Sequence, residues 1–320
     1  DVRLGFAVKV LSGGGLASHD ARRWQSGPHL RVSLEHLAAI LEFAAEHDIG
    51  MYRMATSLAP YASHPDLPQF HNQVEECADE LRAVGELAAG LGVRLSTHPG
   101  QYTVLNSEEP AVVANAQAEL EVQGALMHAM GLPPEAIVVV HVGGAGGGLE
   151  AGAERFVRGF EGLSEQARER LVIENDDRTY GVCAAAGLAR RIGRPVVFDL
   201  LHHHCNDPDR IPDREALELA LSTWPGGVTP KIHYSSPRLD MGEKRKKVGR
   251  RVERSPVMPD LRNHADLIDP LAFEAFTRET ATGLRDFDVM LEAKGKDLAL
   301  LRLRDQLEAR GMGLAEPVRG

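Results

Sequence analysis

The feature that most constrains the fold of this chain is a repeated alternation between short apolar runs and longer segments of helical period. Runs rich in β-branched residues, such as AIVVVHV at 136–142, predict buried strands. Amphipathic stretches such as SLEHLAAILEFAAEHD at 33–48 predict helices, and Ser33 is expected to cap this one. The pair repeats eight times, which predicts an α/β fold of the (β/α)8 TIM-barrel type with a parallel sheet inside a layer of helices.

The whole chain, 1–320, is interpreted as a single barrel domain with one insertion, a basic loop at about 241–260. The segment at 152–171 is predicted as one continuous helix. The main alternative fold, a doubly wound open sheet, would need a G-x-G-x-x-G phosphate turn after an early strand. Neither glycine run, at 13–15 or at 143–148, provides that turn in the right setting, and the second is expected to be a flexible loop.

Composition is that of a globular protein in a reducing compartment. Hydrophobic residues make up 43% of the chain, and no run of about 18 apolar residues predicts a membrane span. Three scattered cysteines argue against a disulfide framework, and the N-terminal DVRLGFAVKV lacks a signal-peptide pattern. A cytoplasmic protein is therefore expected, with no membrane contact and no obligate protein partner, and as a monomer by default.

Charge is unevenly distributed along the sequence. The formal net charge of −10 argues against attraction of the whole surface to nucleic acid. The segment EKRKKVGRRVER at 243–254, however, holds seven Lys or Arg against two Glu. It is interpreted either as a solvated loop or nuclear-type basic run, or as a phosphate-contacting patch that includes Lys244, Arg245, Lys246 and Lys247.

Polar residues at the ends of the predicted strands are the candidate functional residues, because chemistry in such a barrel takes place where strands lead into βα loops. Nearly all of them are of metal-binding type: His98, His141, Glu174, Asp199, His202, His233, Glu292, and His264 and Asp266 of a HAD motif before the last helix. Any one of them alone is more often a satisfied polar residue or a helix cap. Together at one rim they would be costly to bury unless metal ions neutralised them.

The ligand types narrow the choice of metal. Mixed imidazole and carboxylate ligands suit Zn, Mn or Fe, and the absence of Cys argues against a structural zinc site. The number of ligands suits two or three ions, with Glu174 central enough to bridge two. His202 is favoured over His203 and His204 because a spacing of three from Asp199 keeps both side chains on one side of a helical turn.

Lys231 lies two residues before His233 on the same strand and shares its inward face. It is expected either to pair with a carboxylate or to be carboxylated, and both interpretations stay open. A multinuclear metal centre at the barrel mouth can produce hydroxide near neutral pH, clamp a phosphoryl group and stabilise a leaving alkoxide. Phosphodiester cleavage is therefore favoured, with two-metal sugar isomerisation as the alternative.

The motifs HPGQY, ENDD, DLLHHH, PKIHYSS and HADLID resemble those of the UV damage endonuclease family, in the same order, from RLGF near the start to MLEAKGKD near the end. The resemblance implies a relative of the multi-metal AP endonuclease barrels. Such an enzyme nicks double-stranded DNA immediately 5′ to cyclobutane pyrimidine dimers and 6-4 photoproducts, and to some extent at abasic sites. The cut leaves a 3′-hydroxyl and a 5′-phosphate and uses manganese, with zinc or other divalent ions as alternatives.

The resemblance also implies residue roles. Three Mn²⁺ ions are expected, the first held by His98, His141 and Glu174, the second by Glu174, Asp199, His233 and Glu292, and the third by His202, His264 and Asp266. Catalytic roles fall to Glu174, Glu292 and Lys231, and Lys231 matches a family lysine that can be carboxylated.

Lesion recognition is expected from a second set of residues. Gln101 and Tyr102 would wedge into the duplex where the damaged bases turn out, because damage makes that step easier to unstack. Phe6 stands where the family often has tyrosine, so a DNA contact there would be limited to stacking or give way to packing. A non-catalytic lesion-binding protein is the third hypothesis, and the intact ligand set counts against it.

Overall fold

Eight parallel strands close into a barrel in the computed structural model, which describes residues 2–249 and 251–312. The barrel strands are β1 Leu4–Ala7, β2 Met51–Arg53, β3 Arg94–Thr97, β4 Ile137–His141, β5 Leu171–Glu174, β6 Val196–Asp199, β7 Lys231–Tyr234 and β10 Asp288–Leu291. Each pairs in parallel with its neighbours, and β10 closes the circle against β1. The predicted (β/α)8 TIM barrel is confirmed.

Helices cover the outside of this barrel. Their bounds are α1 Leu30–Glu46, α2 Gln73–Glu76, α3 Ala78–Gly90, α4 Pro110–Ala129, α5 Leu149–Glu161, α6 Glu165–Arg170, α7 Val182–Ile192, α8 Leu200–Cys205, α9 Asp213–Ser222, α10 Pro270–Ala275 and α11 Lys296–Ala309. Within the described ranges, none of these helices has the length and apolar character needed to cross a membrane.

Alternation of side chains sorts the barrel into layers. Every second residue of β4, β5 and β6 points inward, so Val139, Val172 and Val197 form one buried apolar cluster inside the barrel. Towards the amino ends of the strands, the Arg94 guanidinium donates to the Asp288 carboxylate at 2.8 Å. The same inward alternation therefore leaves the polar residues at the carboxyl ends of the strands to share one rim.

Strand register brings the rim residues together in pairs. His141 at the end of β4 is the register partner of Glu174 on β5, and Asp199 on β6 is the partner of His233 on β7. Residues that lie tens of positions apart in the sequence thus become neighbours through main-chain pairing alone.

Three local predictions are wrong. Ser33 does not cap α1, because the helix begins at Leu30 and the His29 side chain accepts from the backbone amide of the second helical residue, while the buried Ser33 hydroxyl accepts from the Asp20 amide at 2.9 Å. The helix expected at 152–171 is two helices, because the Ser164 hydroxyl caps a separate α6.

The third concerns the basic insertion. It is an antiparallel hairpin of β8 Gly242–Val248 and β9 Arg251–Val257 rather than a loop. Arg250 of the basic segment lies outside the described residues.

Candidate metal centre

Glu174 is the hub of the polar cluster at the barrel rim. Its side chain is fully buried, and three imidazoles surround its carboxylate. The nearest nitrogens are His233 Nδ1 at 2.5 Å, His141 Nε2 at 2.7 Å and His98 Nε2 at 2.9 Å. Each lies within one residue of the carboxyl end of a different strand, so the barrel itself sets the geometry.

Two sets of side chains at this rim could each hold a metal ion. In each set, one ligand atom per residue lies within 4.8 Å of all the others. The larger set contains His98, Glu174, His233 and Glu292, and the smaller contains His141, Glu174 and His202. Glu174 belongs to both, so one carboxylate can serve two ions. Imidazole and carboxylate donors of this kind suit first-row divalent metals.

Unsatisfied buried atoms support this interpretation. Glu174 Oε2 and Asp199 Oδ2 are buried and accept no hydrogen bond within residues 2–249 and 251–312. Two imidazole nitrogens, those of His98 and His141, lie within 2.9 Å of Glu174 Oε2. A buried carboxylate oxygen without a partner costs free energy, and a divalent cation would satisfy it. The donor set therefore fits a bound metal.

The pKa values of the ionisable groups at the centre are shifted in different directions. Burial alone would raise the pKa of Glu174, but the charges of His233, His141 and His98 hold it well below its usual range. Burial raises the pKa of Asp199 to about 7. Burial also lowers the pKa of His233 to about 4, although the neighbouring Glu174 carboxylate acts in the opposite direction.

A second layer of contacts orients His202. Its Nδ1 donates to the Asn175 carbonyl at 2.9 Å, which leaves Nε2 for a metal. Its backbone amide donates to Asp199 Oδ1 at 2.7 Å. Burial would lower the pKa of His202, but the Asp199 and Glu174 charges raise it to about 9. His203 and His204 turn away from the cluster, towards the Ile211 carbonyl and Asp213.

The remaining predicted ligands are less central. His264 Nε2 lies 3.8 Å from Glu292 Oε2, and Asp199 Oδ2 lies 3.8 Å from His202 Nδ1. Neither His264 nor Asp199 belongs to the two sets. Asp266 is exposed, and its backbone carbonyl accepts from the Gly295 amide at 2.8 Å. The structure thus does not gather the expected third set of His202, His264 and Asp266, because the Asp266 side chain faces solvent.

Arg53 is the residue of the centre that sequence reasoning missed. It ends β2, is almost fully buried, and donates to Glu292 Oε1, while its Nη2 lies 3.0 Å from His233 Nε2. Its charge is a main reason that the pKa of Glu292 stays well below its usual range although burial alone would raise it. A search of strand ends for cations as well as for ligand types would have found it.

Lys231 lies fully buried beneath the ligands. Its Nζ donates to Ser96 Oγ at 3.0 Å, and burial, with the charges of Arg53 and Arg94, lowers its pKa well below the usual value. Within the part of the chain that the structure describes, no carboxylate forms an ion pair with it. The carboxylate-pairing interpretation therefore has no support in the structure, and carboxylation stays a prediction.

Two cavities open at the rim, one on each side of the loop that follows β3. The first, of about 680 Å³, lies over the ligands and is lined by Gln101 and by Lys294 and Lys296. The second, of about 670 Å³, is lined by Tyr102, which is 86% exposed. The loop with the predicted wedge residues therefore separates two spaces.

The position of Phe6 differs from the one predicted. Its side chain is fully buried, with its ring 5.3 Å from that of Tyr52 and 6.4 Å from that of Phe43. The expected DNA contact is wrong, because the ring packs in the core and has no exposed face. Lys244, Arg245, Lys246 and Lys247 are all exposed on the hairpin.

The fold and the site together place the chain among the (β/α)8 barrel proteins with histidine and carboxylate side chains at the carboxyl rim of the strands that could hold metal ions. Residues 30–313 match the family described as UV-endonuclease UvdE, and the chain belongs to this family.

Relatives and solved structures agree with the assignment. The UV DNA damage endonuclease of Bacillus cereus (strain G9842) is 32% identical over 281 residues, which cover 88% of this chain and 82% of the relative. That of Bacillus pumilus (strain SAFR-032) is 33% identical, covering 87% and 81%. The crystal structure of SacUVDE aligns with a TM-score of 0.81 at 29% identity, over 98% of this chain and 100% of that one. The structure of a putative xylose isomerase from Rhodospirillum rubrum aligns with a TM-score of 0.56 at 14% identity, over 98% of this chain and 100% of that one. This likeness shows a shared fold alone.

Proposed function

We propose that this chain is a DNA repair endonuclease that nicks double-stranded DNA immediately 5′ to UV lesions. The lesions are cyclobutane pyrimidine dimers and 6-4 photoproducts, with abasic sites cut to a lesser extent, and the products are a 3′-hydroxyl and a 5′-phosphate. The observation that carries the proposal is the sharing of Glu174 by two ligand sets at the floor of an open cavity. Membership of the UV-endonuclease family supports the same activity. The enzyme would act as a cytoplasmic monomer, with neither membrane nor obligate protein partner.

The proposed cofactor is Mn²⁺, in three ions, with Zn²⁺ or another divalent ion as the alternative. His98, Glu174, His233 and Glu292 would hold one ion, and His141, Glu174 and His202 another. Asp199 and His264 are the remaining donors at the rim for a third, and Asp266 is not among them because its side chain is exposed. Such ions supply Lewis-acid stabilisation of phosphoryl charge and activation of water near neutral pH.

Residues of the chain prepare the site for a phosphodiester. Arg53 fixes the Glu292 carboxylate by donating to it, and Asn175 fixes the His202 ring. Lys294 and Lys296 line the cavity and add positive charge that would attract the DNA backbone. Lys231 is suited to carboxylation, because burial lowers its pKa well below the usual value and the neutral form of an amine is the nucleophile.

Lesion recognition is assigned to Gln101 and Tyr102. A tyrosine ring that is 86% exposed offers a stacking surface to a base, and base–aromatic stacking contributes about 1–3 kcal/mol per base. The cavities on either side of the loop offer room for bases that leave the helix. A pyrimidine dimer is already poorly stacked, so extruding it costs less than extruding normal bases. Lys244, Arg245, Lys246 and Lys247 are proposed as further contacts to the backbone.

The test is relaxation of supercoiled plasmid, irradiated or not, with Mn²⁺ or with a chelator. The proposal expects metal-dependent nicking of the irradiated plasmid only, and none by a Glu174→Gln variant. Equal nicking of both plasmids would contradict lesion recognition. No nicking by metal-loaded protein, together with metal-dependent turnover of a free ketose, would replace the proposal with the sugar isomerase.

A further inference from the structure

The basic hairpin formed by β8 and β9 is an exposed two-stranded ribbon. Seven residues of each strand pair in antiparallel register, from Gly242 opposite Val257 to Val248 opposite Arg251. All of β9 and residues 243–247 of β8 are exposed. At roughly 3.4 Å per residue, the ribbon is about 24 Å long.

The base of the ribbon is tied to the metal centre. Pro237 forms an antiparallel bridge with His264, a residue beside Glu292. On either side of this bridge, the Arg238 amide donates to the Asn263 carbonyl at 2.7 Å and the Ala265 amide donates to the Ser236 carbonyl at 2.8 Å. The ribbon therefore leaves the barrel at the mouth of the cavity, where the DNA of the proposed function would lie.

Both faces of the ribbon are positively charged. Side chains alternate between faces along a strand, and paired residues of two strands share a face. One face presents Lys244, Lys246 and Arg251 with the single anion Glu253, and the other presents Arg245, Lys247 and Arg254 with the single anion Glu243. The described residues thus give each face the same excess of cations.

The ribbon's internal contacts do not explain this charge pattern. Arg245 and Arg254 lie directly opposite each other, and like charges in that position destabilise a strand pair. Glu243 pairs with both, at 2.8 and 3.7 Å, but exposed ion pairs contribute little to stability. An external polyanion would relieve the repulsion that remains.

The net charge of the ribbon segment is opposite in sign to that of the rest of the chain. The segment 243–254 has seven cations and two anions, a net charge of +5, and the whole chain has −10, so the other residues carry −15. Attraction to a polyanion is therefore concentrated on the ribbon and on whatever cations the rim holds.

We infer that the hairpin of β8 and β9 is an arm that enters the major groove of undamaged duplex DNA beside the lesion. The inference rests on the proposed function for its substrate. A major groove about 12 Å wide admits a two-stranded ribbon between two phosphate walls, whereas a minor groove about 6 Å wide does not. Positive charge on both faces matches those two walls. A reach of about 24 Å spans roughly seven base pairs at 3.4 Å each.

The test measures binding rather than cutting, and it uses the full chain. One variant carries Lys244→Thr, Lys246→Thr and Arg251→Thr, and a second carries Arg245→Thr, Lys247→Thr and Arg254→Thr; threonine preserves strand propensity. The control carries Arg82→Gln, Arg158→Gln and Arg190→Gln, which removes three exposed cations from α3, α5 and α7. Equal melting temperatures establish that all variants fold.

Affinity is measured against salt for an undamaged duplex of roughly three helical turns, for the same duplex with one dimer, and for its single strand. Each face variant should bind both duplexes at least roughly tenfold more weakly than the wild type does. The slope of log K against log salt should fall in magnitude by up to about 2.7, because each lost phosphate contact removes about 0.9. The preference for the dimer should not change, and the control should bind like wild type.

Three results would overturn the inference. Unchanged duplex binding by both face variants would exclude a role of the hairpin in DNA binding. A loss of affinity in only one of the two face variants would mean that the ribbon contacts one strand of the duplex and does not lie in a groove. An equal loss on the single strand would show general polyanion binding. If the wild type fails to nick dimer DNA but the face variants still lose duplex binding, the arm stands and the proposed endonuclease function fails.

Discussion

Replacing Glu174 by glutamine removes a charge and a ligand oxygen while keeping the shape of the side chain. Because Glu174 belongs to both ligand sets, we expect the change to weaken two metal sites at once. Glu292→Gln is the matched control, since Glu292 belongs to one set only. Removing a residue that merely orients a metal ligand costs about 10–100-fold in affinity, so losing a shared ligand should cost at least about a hundredfold at each site.

The size of the effect follows from linkage. A metal at 1,000 times its Kd stabilises the fold by about 4.1 kcal/mol, and a hundredfold weaker site at the same concentration by about 1.4 kcal/mol. The loss is then roughly 2.7 kcal/mol per site, or about 5 kcal/mol for two. With an unfolding entropy of about 2.1 cal/mol/K per residue over 320 residues, Glu174→Gln should lose about 8 °C of the metal-induced rise in Tm, and Glu292→Gln about 4 °C.

The assay is differential scanning calorimetry of each variant with Mn²⁺ and with chelator, alongside metal analysis of the loaded proteins. Each variant is compared with its own chelated form, so the loss of the contact between Glu292 and Arg53 cancels. Equal losses for the two variants, or a smaller loss for Glu174→Gln, would refute the sharing of this carboxylate.

Four further predictions concern residues outside the two sets. Replacing Gln101 and Tyr102 together with alanine should reduce the preference for dimer-containing over intact duplex by about 10–100-fold, with unchanged metal content; unaltered preference in a binding titration would contradict the wedge. Arg53→Gln should lower metal affinity or nicking rate by about 10–100-fold, as metal titration and single-turnover kinetics would measure.

Phe6→Tyr should reduce stability by about 1–3 kcal/mol and leave lesion affinity unchanged; a gain in affinity would restore the DNA contact that the buried ring excludes. Asp20→Asn should cost about 1–3 kcal/mol at pH 7, because the Asp20 carboxylate accepts from a guanidinium and a backbone amide that hold its pKa well below the usual value. That contribution is present above the unfolded pKa of about 3.9 and is lost as pH falls through the folded value. Urea unfolding should therefore give a difference between wild type and variant that shrinks in acid.

Much of the fold follows from periodicity. Apolar runs such as the valines of β4 and β6 predict buried strands, and their alternation with helices predicts the barrel. The hairpin of β8 and β9 escaped prediction because its strands have no apolar face, and lysine-rich segments have low strand propensity. The break between α5 and α6 was missed because helical periodicity continues across it, and only the Ser164 cap ends the pattern.

The sequence predicts which residues lie at the candidate site better than it predicts how they are grouped there. Strand-end position alone selects His98, Glu174 and His233, which the structure brings together, and their role as ligands stays a prediction. Spacing could not predict the two sets, since they depend on side-chain directions across the barrel. Alternation along β1 would have corrected Phe6, because its neighbour Ala7 lines the cavity and successive residues face opposite ways.

The most direct test of the central claim is cleavage of an end-labelled duplex that carries one pyrimidine dimer at a defined position. With Mn²⁺, we expect a single cut immediately 5′ to the dimer, with a 3′-hydroxyl that a polymerase can extend and a 5′-phosphate that a ligase can join. Chelator should abolish the cut, and the undamaged duplex should stay intact. No cut by metal-loaded protein, or cuts at the same positions in the undamaged duplex, would contradict the account.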